Sequence, residues 1–259
     1  MTGRVAVVTG AARGIGAATV RRLADGGWQV VAVDCCADDA ALSYPMATRA
    51  ELDALADLGH VTPMVADVRD VDALAAAVAT AESTYGGLDA ALAVAGVVAG
   101  GQPHWETDAA GERAVLDIDL GGVLNLARVA VPALLRRPAP RSGRFVAVAS
   151  AAATRGLPRL ATYCAAKAGV TGFVRALAVE LADSGVTANA VSPGSTQTPA
   201  LDASAALYEL PGTVGFAEQQ PLGRLLDPDE IAAALVWLAG PESAAMTGSV
   251  MTVDGGLSV

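Results

Sequence analysis

The chain has 259 residues, of which 53% are hydrophobic and 4% aromatic, and its formal net charge is −10. That length suits one large α/β domain or two small ones and is ample for a hydrophobic core. The negative charge argues against nucleic acid or an anionic membrane as a partner. No apolar run reaches the ~18 residues of a membrane span, and no basic, apolar leader is evident at the N-terminus.

The number and spacing of the cysteines and histidines indicate the cellular compartment and whether a metal is bound. Adjacent Cys35 and Cys36 point to opposite faces of a strand, and with Cys164 they do not make a disulfide framework. A reducing compartment, the cytoplasm, is therefore expected. His60 and His104 are the only histidines, and no Cys/His cluster has metal-ligand spacing, so we expect no metal.

A glycine-rich turn connects the first predicted strand to the first helix. The β-branched run 5–8 leads directly into the turn 9–16, and an Ala/Leu/Arg-rich helix follows to about Asp25. Such a turn lets the backbone approach a pyrophosphate, while the helix N-terminus supplies N–H donors. The context therefore predicts dinucleotide binding through Gly10, Arg13, Gly14, Ile15 and Gly16.

The second predicted strand, 29–33, ends in Asp34. An acid at this place accepts hydrogen bonds from the adenosine ribose and repels a 2′-phosphate, so NAD is favoured over NADP. A strand-end turn aspartate is the alternative. Cys35 follows directly and is included in the predicted cofactor site.

The insertion 35–50 separates this strand from the third. Residues 35–47 show no clean periodicity, and Pro45 disfavours helix at Tyr44. Thr48 and Glu51 then predict a capping box that opens a helix through Leu58. Loops of this length are often functional. The insertion could cover the bound nucleotide or be a solvated loop, and the sequence alone leaves both open.

The middle of the chain predicts two strands and a distorted helix. The third strand, 61–66, ends at Asp67 and Val68, and the apolar run 88–98 predicts a central fourth strand. A helical pattern then runs from about 107 to 135 and contains the adjacent glycines of LDIDLGG. Two glycines inside a helix cost roughly 2 kcal/mol relative to alanines. They predict a kink or a close helix approach.

Ser150, Tyr163 and Lys167 form the stretch around which the chain is organised. Ser150 follows the apolar strand 145–149, at the strand end where open α/β sheets bind ligands. Tyr163 and Lys167 lie one turn apart on a predicted helix, so their side chains share one face. A nearby cation favours the phenolate and lowers a phenol pKa from ~10. Tyr-x-x-x-Lys alone is also typical of an ordinary amphipathic helix.

The last third continues the alternation of strands and helices. A strand at 186–191 precedes the loop 192–199, and the weakly patterned segment 199–222 is predicted to be mobile and to cover the substrate. Asp227 begins a capped helix to Leu238, and 248–253 is the last strand. The whole chain, 1–259, thus predicts one doubly wound Rossmann domain with a parallel sheet and helices on both faces.

The glycine turn, Ser150, Tyr163-x-x-x-Lys167 and Pro193-Gly194 together resemble the short-chain dehydrogenase/reductase family over essentially the whole chain. The resemblance implies that Tyr163 is the general acid/base, that Ser150 holds the substrate oxygen, and that Lys167 binds the nicotinamide ribose and lowers the Tyr163 pKa. It further implies nicotinamide contacts from the loop that follows the sixth strand and adenine contacts from the end of the third. These residues are Pro193, Gly194, Thr196 and Thr198, and Asp67 and Val68.

Two departures from the family pattern bear on the site. Asp119 stands where the family usually has an asparagine that orders a water in the proton relay, so we include it among the catalytic residues and expect an altered pH–rate profile. The run from Ala93 to Gly96 replaces Asn-Asn-Ala-Gly. Backbone contact with the cofactor can survive there, and Ala93 and Gly96 are included in the cofactor site.

The insertion is similar to that of mycofactocin-associated, carveol-dehydrogenase-like enzymes. This resemblance implies tightly held NAD that an external acceptor reoxidises in place, and the family as a whole implies a homotetramer. We predict an NAD-dependent enzyme that interconverts a small, apolar secondary alcohol and its ketone. The alternatives are a freely exchanging ketoreductase acting on 3-oxoacyl carriers and a catalytically silent NAD-binding sensor.

Overall fold

The computed structural model describes residues 3–259 as a parallel sheet of seven strands in the order β3-β2-β1-β4-β5-β6-β7, with helices on both faces. The predicted doubly wound architecture is confirmed. The strands are β1 (Val5–Thr9), β2 (Gln29–Asp34), β3 (Val61–Val65), β4 (Ala90–Ala93), β5 (Arg144–Val148), β6 (Thr187–Pro193) and β7 (Val250–Val253). The helices are α1 (Gly14–Asp25), α2 (Arg49–Asp53), α3 (Val71–Tyr85), α4 (Ala109–Val115), α5 (Gly122–Arg136), α6 (Ala161–Glu180), α7 (Pro199–Leu207), α8 (Val214–Glu218) and α9 (Pro228–Ala239).

Two hydrophobic cores lie on opposite faces of the sheet, because successive side chains of a strand point to opposite sides. In β1, Val5 and Val7 belong to the core under α3, α5 and α6, while Ala6 and Val8 belong to the core under α1 and α9. All five β1 residues are buried. Burial on both faces explains why the strands are continuous apolar runs rather than alternating ones.

The strand order reverses between β1 and β4, which pair with each other in parallel near the centre of the sheet. From β1 the chain proceeds outward through β2 to β3, then crosses back to β4 and continues to β7. Loops after β1 and β4 therefore diverge at their carboxyl ends and leave a crevice. Open α/β sheets bind ligands at such a point.

The predicted fourth strand was too long. β4 ends at Ala93, and residues 94–103 leave the sheet. The backbone N–H groups of Val94 and Ala95 donate to the Thr9 hydroxyl at 3.2 and 3.4 Å, and that of Val97 donates to Asp119 at 2.8 Å. After Ala93 the backbone N–H groups therefore donate to side-chain oxygens and not to a neighbouring strand. An apolar run in the sequence does not reveal such side-chain acceptors.

The adjacent glycines mark both a helix distortion and a close approach, as predicted. Between α4 and α5 the backbone forms a π-helical segment over Leu116–Gly121. Such a segment turns side chains away from their regular α-helical positions. A Cβ on Gly122 would lie 2.6 Å from Val68 Cγ2, so the start of α5 packs closely on the segment that follows β3. Asp119 lies within the distorted segment.

The structure contains helices in both regions where the sequence shows little periodicity, the insertion with the residues that follow it and the segment 199–222. The Thr48/Glu51 capping box is present, but α2 ends at Asp53 and the predicted remainder is the 3₁₀ turn Ala54–Leu58. Residues 199–222 contain α7 and α8 rather than only irregular chain. Thr198 caps α7 through its side chain, with proline at the first helical position, so a start signal was present in the sequence.

The helical stretch Ala109–Arg136 is long and apolar enough to cross a membrane by length and composition. Half of its most apolar window is buried inside the domain. α5 supplies Leu126 and Leu134 to the core shared with α3 and α6. A core helix passes the same length and hydropathy test.

Candidate active site

A cavity of about 710 Å³ lies at the carboxyl edge of the sheet. Its walls come from the segments that follow β1 to β6, so residues distant in sequence converge there. All of the predicted site residues line it except Ala93, which is buried within β4 and has no surface in the cavity. A cofactor contact by Ala93 therefore stays a prediction, because β4 ends at that residue and the lining begins at Val94.

The glycine turn provides an open cradle at one side of the cavity. Gly10 has φ +65°, and a Cβ there would lie 2.6 Å from Ala95 Cα, so only glycine fits. Arg13 occupies the N-cap of α1 and makes no side-chain cap hydrogen bond. The first N–H groups of a helix have no intrahelical partners, and the first-turn residues of α1 line the cavity, where such groups suit an anion. This arrangement fits a dinucleotide pyrophosphate.

Asp34 is held at the end of β2. Its carboxylate accepts from Ala12 N at 3.0 Å and from Cys36 N at 3.5 Å. The Arg13 guanidinium donates to the Pro45 carbonyl at 3.0 Å. A fixed carboxylate fits ribose hydroxyls and opposes a 2′-phosphate. The hydrogen bond to Pro45 directs the Arg13 guanidinium to the insertion. The residues present thus fit NAD.

The insertion is tied both to the glycine turn, through Arg13, and to the segment that follows β3, through Arg69. Arg69 forms ion pairs with Asp67 at 2.6 Å and with Asp39 of the insertion at 2.7 Å. The carboxylate of Asp67 has a lowered pKa; burial raises it, but hydrogen bonds and the charge of Arg69 outweigh burial. Within the insertion, Met46 N donates to Asp38 at 2.8 Å.

The catalytic candidates meet between β5 and α6. Ser150 accepts from Ala152 N at 3.1 Å, which fixes its side chain at the end of β5. Tyr163 lies in the first turn of α6, and the Lys167 ammonium is 5.6 Å from the centre of its ring. Burial raises the pKa of the Tyr163 phenol, while the Lys167 charge and the Ser150 hydroxyl act in the opposite direction.

Asp119 and Lys167 form a buried ion pair. Asp119 Oδ2 lies 3.2 Å from Lys167 Nζ, with side-chain exposures of 0% and 4%. Lys167 also donates to the Val148 carbonyl at 3.3 Å, and Asp119 Oδ1 accepts from Val97 N. Burial alone would lower the pKa of Lys167, but the Asp119 carboxylate and the Tyr163 phenol together outweigh burial and raise that pKa. Burial also raises the pKa of Asp119, against the Lys167 charge.

The loop after β6 is organised by its own hydroxyls and by a residue that the sequence did not reveal. Thr196 donates to the Gly194 carbonyl at 3.0 Å, and Thr198 donates to the Thr196 carbonyl at 3.3 Å. Buried Gln220 accepts from Ser195 N at 2.8 Å and donates to the Arg224 carbonyl at 2.6 Å. No pattern around Gln220 signals this role, because its partners are backbone groups.

The opposite end of the cavity is apolar. We name the group that encloses it the substrate-end cluster. Its buried members are Val98, Leu160 and Ala203, and Tyr44, Leu157, Tyr163, Leu207 and Tyr208 pack around them. The cluster draws on the insertion, the loop after β4, the loop after β5 and α7, so it closes over Tyr163 from several directions. Tyr44 is a second site residue that the sequence did not reveal.

The fold, the glycine cradle and the Ser150, Tyr163 and Lys167 constellation place the chain in the short-chain dehydrogenase/reductase family, and it belongs to that family. The family described as "Enoyl-(Acyl carrier protein) reductase" matches residues 10–258.

Among the relatives, cis-4-hydroxycyclohexanecarboxylate dehydrogenase of Sinomonas cyclohexanicum is 41% identical over 98% of this chain and 96% of its own. (−)-trans-Carveol dehydrogenase of Rhodococcus erythropolis is 34% identical over 99% of this chain and 98% of its own. The crystal structure of carveol dehydrogenase from Mycobacterium avium in complex with NAD superposes with a TM-score of 0.93 at 33% identity, covering 99% of this chain and 98% of that one.

Proposed function

We propose that this protein is an NAD-dependent dehydrogenase that interconverts a compact alicyclic secondary alcohol and its ketone. The observation that carries the proposal is the meeting of Ser150, Tyr163 and Lys167 in one cavity whose adjoining end is apolar. The oxidoreductase class follows from family membership, and Asp34 and the glycine cradle suit NAD. Two relatives are named for alcohols built on six-membered carbon rings, which is the size and polarity that the substrate-end cluster suits.

The mechanism assigns each residue one task. When bound, NAD supplies the hydride acceptor. The Tyr163 phenolate accepts the proton of the alcohol hydroxyl during oxidation, and the phenol returns it during ketone reduction. Ser150 donates a hydrogen bond that holds the substrate oxygen beside Tyr163. The Lys167 ammonium stabilises the phenolate, and Asp119 keeps that ammonium charged. The substrate-end cluster excludes water from these groups.

A charged side chain that lines the cavity, that of Arg155, favours a narrower class of alcohol substrate. Arg155 lines the cavity and donates to the Leu257 carbonyl at 2.7 Å, and it forms no ion pair within the described part of the chain. An alcohol with a distal carboxylate would complete its hydrogen bonds. The assay therefore compares cyclohexanol with 4-hydroxycyclohexanecarboxylate. Oxidation of neither by NAD-loaded enzyme would contradict the proposed function.

We further propose that NAD stays bound between turnovers and that an external acceptor such as mycofactocin reoxidises it. Supporting this, the insertion is fastened to the glycine turn through Arg13, to the adenine end through Arg69, and to the loop after β4 through Tyr44. Mass spectrometry of denatured protein, purified without added nucleotide, tests it. About one NAD(H) per subunit supports retention, whereas empty protein that needs added NAD favours free exchange.

Two alternatives make different predictions. An exchanging 3-oxoacyl ketoreductase would reduce carrier-linked 3-oxoacyl substrates with added cofactor. A silent NAD sensor would bind NAD without turnover, but such a protein has no need of the buried Lys167 and Asp119 pair beside Tyr163.

We also propose a cytoplasmic homotetramer. Large apolar side chains are exposed on α6 and α9, with Val179 at 77% and Trp237 at 40% exposure. Sedimentation equilibrium tests this assembly, and a monomer at assay concentration would contradict it.

A further inference from the structure

Tyr44 is the residue through which the insertion reaches the substrate end of the cavity. Its hydroxyl accepts a hydrogen bond from Val98 N at 2.9 Å, and its ring packs on the substrate-end cluster. The same cluster holds Tyr163, so the insertion contacts the apolar surroundings of the catalytic phenol as well as the nucleotide end. A segment that only covered the adenosine would not extend this far.

The position of the Tyr44 ring is fixed rather than adjustable. Val98 N–H binds its oxygen, and neighbouring Pro45 accepts from Arg13 through its carbonyl. Burial raises the pKa of Tyr44 to about 12, so the hydroxyl stays neutral during turnover. A neutral phenol held at its far end presents its ring face as a wall.

We infer that Tyr44 is a specificity-determining residue, and that the insertion supplies the wall that restricts the substrate end to compact alicyclic alcohols. This inference rests on the proposed function. The cluster members opposite Tyr44 come from the loop after β5 and from α7, so the bound ring would lie between these segments and the phenol. Removing the Tyr44 side chain would enlarge the substrate end and leave the Ser150, Tyr163 and Lys167 side chains in place.

The experiment compares a compact alcohol, cyclohexanol, with a fused bicyclic alcohol, decahydro-2-naphthol, on the NAD-loaded full chain. Single-turnover formation of NADH gives kcat/KM, and saturation-transfer NMR gives binding of each alcohol. Tyr44→Ala should raise the bicyclic-to-cyclohexanol ratio of kcat/KM by about tenfold or more, since small changes in apolar pocket volume discriminate substrates to that extent. Tyr44→Phe should keep most of the wild-type preference, because its ring still forms the wall.

Leu42→Ala is the matched control. Leu42 belongs to the same insertion, packs against the core on the face of the sheet covered by α3, α5 and α6, and does not line the cavity. Loosening the insertion there should weaken NAD retention and leave the alcohol ratio unchanged.

The inference is overturned if Tyr44→Ala and Leu42→Ala give the same ratio as the wild type. If the wild type binds cyclohexanol without turnover, the proposed function fails while the NMR ratios still test Tyr44. If it binds neither alcohol, both proposals fail.

Discussion

Replacing Asp119 by asparagine should shift the pH dependence of alcohol oxidation to lower pH. The Asp119 carboxylate lies 3.2 Å from Lys167 Nζ, which lies 5.6 Å from the Tyr163 ring centre. The carboxylate is therefore within about 9 Å of the phenol, where two unit charges interact by about 2 kcal/mol at an effective dielectric constant near 20. That repulsion disfavours the phenolate and adds to the burial that raises the pKa of Tyr163.

The sign of the effect follows from the role of the phenolate as a base. On the acidic side of the profile, the rate is proportional to the small phenolate fraction, so removing about 2 kcal/mol of repulsion should raise the rate roughly tenfold or more. Lys167 would also lose the carboxylate that raises its pKa. Its ammonium should then deprotonate at lower pH, so the rate plateau should end earlier on the alkaline side.

Single-turnover formation of NADH from NAD-loaded enzyme and excess alcohol measures this profile without a contribution from nucleotide release. Asp117→Asn is the control, because Asp117 lies on the same π-helical segment and is exposed to solvent. It removes the same charge without touching Lys167. Identical profiles for Asp119→Asn, Asp117→Asn and the wild type would refute the electrostatic argument.

Three further predictions test the site. Tyr163→Phe should lower single-turnover oxidation by about 100-fold or more while calorimetry shows NAD binding retained; retained turnover would remove Tyr163 from its assigned role. Asp34→Asn should raise the ratio of the association constant for NADP to that for NAD by about tenfold or more, because a like-charge contact costs several kcal/mol. An unchanged ratio would show that other groups exclude the 2′-phosphate. Gly10→Ala should lower the free energy of unfolding in urea by at least about 2 kcal/mol more than Gly59→Ala. Both glycines have positive φ, but only at Gly10 would a Cβ meet backbone, so equal losses would contradict the close approach to Ala95.

The parts of the site that the sequence predicted are those encoded by local spacing. The position of Ser150 follows from the apolar strand before it, and that of Tyr163 beside Lys167 follows from one helical turn. The glycine cradle likewise needs only a strand, a turn and a helix in succession. Such short-range patterns, together with the family resemblance for Asp119 and for the segments after β3 and β6, named residues that all line the cavity apart from Ala93, because parallel strands bring their carboxyl ends to one edge.

The parts that the sequence missed depend on contacts between distant segments. The early end of β4 depends on Thr9, which accepts from Val94 and Ala95. Gln220 has backbone partners, which leave no residue pattern to read. The start of α7 is a different case, because Thr198 and the following proline did carry a helix-start signal in a segment otherwise without periodicity.

Two features that set this chain apart from its family pattern meet at one place. Val97 N donates to Asp119, and the next N–H, that of Val98, donates to Tyr44. One of these acceptors pairs with the catalytic lysine, and the other comes from the insertion. These two N–H groups belong to peptide units that share the α-carbon of Val97. The insertion and the carboxylate that pairs with Lys167 therefore hold neighbouring N–H groups of the same short piece of backbone.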